Sequence, residues 1–66
     1  MTELEALQNA CDNGLVVREY FTHDKRKTIK MYYATLNGNS ISPVLDYENL
    51  NHFILGFNKA VKLKIQ

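Results

Sequence analysis

The dipeptide Asn37-Gly38 stands between Leu36 and Asn39, with strand-like sequence on either side. Both central positions of a two-residue hairpin turn need positive φ, and Asn-Gly tolerates this better than almost any other pair. The chain must therefore reverse here, and the flanking runs must pair. Upstream, Thr28 to Leu36 alternates, with Ile29, Met31 and Tyr33 on one side and Lys30, Tyr32 and Ala34 on the other. Further upstream, Leu15 to Phe21 is β-branched and aromatic. Leu15, Val17, Glu19 and Phe21 share one face of it, and Val16, Arg18 and Tyr20 the other. A polar turn from Thr22 to Lys27 joins these two runs. Downstream, Ser40 to Leu45 reads as a third strand, and Pro43 within it lacks the N–H that a central strand needs, so it belongs at an edge.

Helical signals bracket this meander. Thr2-Glu3-Leu4-Glu5 has the spacing of a capping box, and Leu4, Leu7 and Cys11, flanked by Ala6 and Ala10, recur at helical intervals up to Asn13-Gly14. A helix over about residues 3 to 12 is expected. Asp46 is placed to cap a second helix, with Glu48 in its first turn and Lys59, Lys62 and Lys64 towards its end, where each charge is favourable to the helix dipole. Leu50, Phe53, Ile54, Phe57 and Val61 follow the i, i+3, i+4, i+7, i+11 pattern, extended by Tyr47 and Ile65. The order is α-β-β-β-α. Both helices need an apolar surface to cover, so the expected fold is α+β, a two-layer sandwich: a three-stranded antiparallel meander with both helices on one face.

The 66 residues form a single domain in this reading. A chain this short buries only about 60% of its unfolded surface and is of marginal stability. Its 45% apolar content, with three Gly and one Pro, still favours folding over disorder. The net charge of +1 weakens the case for a nucleic-acid binder, which is usually clearly basic. No apolar run reaches membrane-spanning length, and the acidic N-terminus is unlike a signal peptide. The lone Cys11 has no internal disulfide partner. A cytoplasmic protein is expected. Lys outnumbers Arg six to two and Trp is absent, a bias towards AT-rich codons that suggests a low-GC bacterium or one of its mobile elements, and the small size fits a phage or plasmid accessory protein.

The element order is similar to that of the double-stranded-RNA-binding domain. That family opens its last helix with a lysine cluster, where this chain reads Asp46-Tyr47-Glu48-Asn49. The resemblance stops at topology, because the phosphate grip is missing. The succession of strand, Asn-Gly turn, strand and capped helix also resembles the arm-binding modules of phage integrases.

Catalytic and cofactor chemistry finds little to work with. Cys11, His23 and His52 are isolated, with only Asp24 beside His23, so no metal site is expected. Cys11 continues an apolar stripe and reads as a buried, inert thiol. Ser40 and Ser42 have no catalytic motif around them, and Gly14, Gly38 and Gly56 are too scattered for a phosphate loop. A domain of this size has little room for a substrate pocket. No enzymatic activity and no cofactor are expected.

Three surfaces remain. With Ile29, Met31 and Tyr33 turned inward alongside Leu15, Val17 and Phe21, the outer sheet face would present Arg18, Tyr20, Lys30 and Tyr32. Tyr20 would then pair with Lys30, and Arg18 with Tyr32, as cross-strand cation–π contacts. This is either a binding face or an ordinary solvated sheet. A two-residue Asn37-Gly38 turn would set Ala34 opposite Ile41 and bring Ile41 to the same face, unless a bulge returns it to the core. Lys25, Arg26 and Lys27, with Lys30 nearby, make the first hairpin basic: a solvated turn, or a phosphate-contacting loop. On the back of the second helix, His52, Leu55, Lys59 and Leu63 align opposite the core stripe. They form either a frayed, incidentally apolar turn or a self-association ridge, through which the chain could pair as a homodimer.

The leading expectation is a small non-enzymatic interaction module, an accessory or inhibitor protein that acts by binding another protein. The alternative is a nucleic-acid-binding regulator that uses the basic hairpin and the tyrosine-bearing sheet face.

Overall fold

The computed structural model describes the backbone of residues 2–65 and the side chains of residues 2–63. The predicted roles of the Lys64 and Ile65 side chains lie outside the described residues. The element order is helix α1 (Glu3–Asn9), strand β1 (Leu15–Asp24), strand β2 (Lys27–Leu36), strand β3 (Asn39–Ser40) and helix α2 (Tyr47–Ile65). The three strands form one antiparallel sheet in the order β1-β2-β3. Leu7 from α1, Leu50 and Ile54 from α2, and Leu15, Val17, Tyr32 and Ala34 from the sheet make a single core cluster. Both helices therefore cover one face of an α+β sandwich, as the element pattern predicts.

The helix starts are those expected. Thr2 is the N-cap of α1, its hydroxyl accepting from the Glu5 N–H at 3.1 Å. The Asp46 carboxylate accepts from the Asn49 N–H at 2.9 Å at the head of α2. The end of α1 comes sooner than predicted. Its C-cap is Ala10, whose carbonyl accepts from the Asn58 side-chain amide at 2.7 Å, while Asn13 donates to the other end of the same amide at 3.1 Å. A side chain from α2 thus satisfies a carbonyl that another helical turn would have used. Gly14, at φ 82°, then turns the chain into β1.

The Asn37-Gly38 turn is present, with φ of 53° and 83°, and it pairs Leu36 with Asn39. The third strand is shorter than the predicted Ser40–Leu45. Ladder pairing ends at Ser40, the chain bulges over Ile41 to Val44, and Leu45 returns to exchange two backbone bonds with Tyr32 at 2.7 and 2.8 Å. Within the bulge, the Ser42 hydroxyl replaces a strand carbonyl and accepts from the Ala34 N–H at 2.8 Å. Pro43 has no N–H with which to continue a ladder. The segment lies at the sheet edge, as expected, and Ile41 remains exposed.

The register of the first hairpin differs from the predicted one. Leu15 pairs with Leu36, Val17 with Ala34, Glu19 with Tyr32 and Phe21 with Lys30. The turn is thus two residues, Lys25-Arg26, with Lys25 at φ 56°. The predicted pairings of Tyr20 with Lys30 and Arg18 with Tyr32 are one residue out of register. A one-residue slip moves a whole strand's side chains to the opposite face. Tyr32 and Ala34 are therefore inside, and Ile29, Met31 and Tyr33 are outside.

Candidate functional site

The two strands of the first hairpin run about 33 Å each at roughly 3.3 Å per residue. The helices cover only the end nearest the core, where Leu15, Val17, Tyr32 and Ala34 lie. Beyond it the hairpin continues as an arm, which accounts for the elongated outline of 49 × 25 × 16 Å. On its helix-side face the arm carries Glu19, Phe21 and Lys30. The Lys30 ammonium lies 3.5 Å from the Glu19 carboxylate and 5.8 Å from the centre of the Phe21 ring. Phe21, expected in the core, is 53% exposed, because the core ends before the strand does. The lysine contact on this face is thus to Phe21 and not to Tyr20.

The opposite face, free of both helices, presents Val16, Arg18 and Tyr20 from β1 beside Ile29, Met31 and Tyr33 from β2. Arg18 stands opposite Tyr33, and Tyr20 opposite Met31. Val16, Tyr20 and Ile29 are exposed, Tyr20 to 49%, while Met31 and Tyr33 are half-buried among their neighbours. Of the four residues predicted for this face, Arg18 and Tyr20 lie on it. Lys30 is on the other side of the sheet, and Tyr32, only 1% exposed, is a core residue. The Tyr32 hydroxyl reaches past the core to donate to Glu3 Oε1 at 3.0 Å. Burial first, and then the Glu3 carboxylate, push its pKa up to about 12. Tyr32 is a structural tie between sheet and α1, not a contact residue.

Ile29, Met31 and Tyr33 replace Lys30 and Tyr32 in this face. Strand alternation separates the two sets, but choosing between them requires the register of the Lys25-Arg26 turn. Lys25, Arg26 and Lys27 are all exposed at the arm's tip. Lys30 engages Glu19 further down the arm.

Along the back of α2, His52, Leu55, Lys59 and Leu63 are all exposed, with Leu55 at 52% and Leu63 at 65%. Leu55 and Lys59 also border an open groove of about 520 Å3, lined in addition by Asp12, Asn13, Asn58 and Lys62. That is more space than the chain's length suggested. The lining holds one carboxylate, two amides and two ammonium groups, with no His, Cys or Ser. Cys11 is half-buried against the core, its thiol donating to the Leu7 carbonyl at 3.3 Å. Burial, followed by the Asp12 charge, raises its pKa above the usual thiol value.

A residue that sequence reasoning missed is Gln8. Its side-chain amide donates to the Leu15 carbonyl and accepts from the Val17 N–H, both at 2.9 Å. It occupies the free edge of β1 as a neighbouring strand would. Only the folded arrangement brings a helix glutamine to a strand edge, and nothing in the local pattern marks it.

Among the described residues, no helix is long and apolar enough to cross a membrane, and no group of three or more His, Cys, Asp or Glu side chains is placed to hold a metal. No family model matches the chain, and no curated protein or solved structure is detectably similar to it.

Proposed function

We propose that this chain is a non-enzymatic interaction module that binds another protein through the outer face of its β-arm. The observation that carries this reading is the helix-free face of Val16, Arg18, Tyr20, Ile29, Met31 and Tyr33, in which Val16, Tyr20 and Ile29 are exposed. Five of these six side chains are apolar or aromatic, and the sixth is arginine. Tyr, Met and Arg are enriched at protein interfaces, and apolar exposure of this kind has no use against a phosphate backbone. Ladder pairing along both strands fixes the backbone of the face, so little loop freedom is lost on binding. An accessory or inhibitory role would follow from occupying the partner's surface, with no chemistry required.

A nucleic-acid reading draws on one different observation: three exposed cations, Lys25, Arg26 and Lys27, at the tip of a two-stranded ribbon. Such a ribbon can enter a major groove. The two readings separate by experiment. The tagged protein is used to capture its partner, with and without nuclease, and the complex is then titrated with salt. A protein complex should survive nuclease and lose little affinity as salt rises, and changing Lys25, Arg26 and Lys27 to Gln should leave it nearly unchanged. Loss with nuclease, together with a steep salt dependence that the Gln variant abolishes, would assign the arm to nucleic acid.

A further inference from the structure

The ladder to β2 uses one side of the β1 backbone, and the other side is an edge. The bonds from Gln8 reveal which groups point there. The Leu15 carbonyl and the Val17 N–H face outward, so the N–H and C=O of Glu19, Phe21 and His23 do as well, since alternate residues of a strand point the same way. Gln8 closes this edge as far as Val17. The strand ends at Asp24, because Lys25 turns away at φ 56°. Among the described residues the stretch from Arg18 to Asp24 is therefore uncapped, and its centre is Phe21. An exposed edge flanked by Tyr20 at 49% and Phe21 at 53% exposure is a template for strand addition.

We propose that a second copy of this chain pairs with it, β1 against β1, antiparallel about a two-fold axis at Phe21. Using the whole open stretch on both copies requires this centre, and the charges then fall into place without adjustment. Arg18 stands opposite Asp24 of the second copy, Glu19 opposite His23, Tyr20 opposite Thr22 and Phe21 opposite Phe21. The oppositely charged Arg18–Asp24 pairing occurs twice, once on either side of the axis. The outward-pointing groups of Phe21 meet each other, and those of Glu19 meet those of His23, as antiparallel hydrogen bonding demands. Recentring on Tyr20 would set Arg18 against Thr22 and press His23 onto the Val17 N–H that Gln8 already holds. Recentring on Thr22 would draw Lys25, at the turn, into the ladder. Antiparallel pairing sends the two helical layers to opposite ends of a continuous six-stranded sheet, and the outer faces of the two arms join.

The test combines association state with register. The full chain is examined by sedimentation over a wide concentration range, together with Arg18→Asp, Asp24→Arg and the double exchange. Each single reversal should weaken the dimer by about tenfold or more, and the double exchange should restore it. In a Cys11→Ala background, Phe21→Cys should form an intermolecular disulfide on mild oxidation. Opposed residues of a hydrogen-bonded pair lie about 5.5 Å apart at Cα, within disulfide reach. Phe21 is exposed, so this variant keeps its fold. The Glu19, Phe21 and His23 amides should exchange slowly at high concentration. A protein that stays monomeric at millimolar concentration overturns the proposal. So does a dimer that survives both single reversals, or one abolished by Leu55→Asp with Leu63→Asp, which would belong to the α2 ridge.

Discussion

Replacing Gln8 with alanine removes both hydrogen bonds that close the edge of β1, and no apolar packing of note, since the residue itself is exposed. Each bond is 2.9 Å long and partly buried, and a neutral hydrogen bond of this kind contributes about 0.5–1.5 kcal/mol net. Leu15 and Val17 are core residues, so water replaces the lost partners poorly, and a cost of about 1–3 kcal/mol is expected. A chain of this length has roughly 3–10 kcal/mol of stability in total, so the variant gives up a substantial part of it. With a urea m-value of about 1 kcal/mol per molar, the unfolding midpoint should fall by about 1–3 M. Hydrogen exchange supplies the local readout, because the Val17 amide should be protected in the parent and released in the variant. Gln8→Glu separates donor from acceptor: its carboxylate can accept from Val17 but cannot donate to Leu15 until it is protonated, so its deficit should shrink in acid. A Gln8→Ala midpoint within experimental error of the parent, with Val17 still protected, would refute this account of the edge.

Tyr32→Ser should cost about 3–5 kcal/mol and leave the chain largely unfolded, as for other buried aromatic truncations, while Tyr32→Phe should cost only the bond to Glu3, about 1 kcal/mol. The folded chain holds the Tyr32 proton more tightly than the unfolded chain does, its pKa being about 12 against an ordinary value near 10. Stability should thus be steady below pH 10 and fall as the pH rises towards 12, and Tyr32→Phe should flatten that fall in alkaline melting experiments. Lys25→Gly should raise stability by up to about 1 kcal/mol, because a left-handed φ strains any residue with a Cβ and glycine's extra chain entropy offsets only part of the relief. Chemical denaturation checks this. A loss of stability at that position would argue against the Lys25-Arg26 turn.

Much of the architecture could be read locally. Thr2 and Asp46 cap helices through their own side chains, Asn37-Gly38 adopts the turn its residue types favour, and Leu50 and Ile54 lie at the centre of a helical stripe. These features depend on neighbours a few residues away. The site was less legible because its decisive step is not local. Both faces of β2 carry bulky side chains, Ile29, Met31 and Tyr33 against Tyr32 and Leu36, so alternation alone offers two self-consistent choices. The turn that selects between them is built from Lys25 and Arg26, with no Gly or Asn to announce it. The early stop of α1 depends on Asn58, from the opposite helix, and the closed part of the β1 edge depends on Gln8 from α1. Arg18 and Tyr20 can be assigned to the outer face from sequence because β1 has only one strongly apolar end, at Leu15 and Val17, which the core must take.

Under the proposed function, the arm's outer face, and not the α2 ridge or the basic tip, meets the partner. This is tested by measuring partner affinity for the parent, for Tyr20→Ser with Ile29→Ser, and for Leu55→Asp with Leu63→Asp, after confirming that each variant keeps the parent's circular dichroism and cooperative melting. Both arm residues are exposed, so the first variant should fold. It should bind at least about tenfold more weakly, a loss of roughly 1.4 kcal/mol or more, while the ridge variant binds like the parent. A folded arm variant with unchanged affinity would contradict the claim.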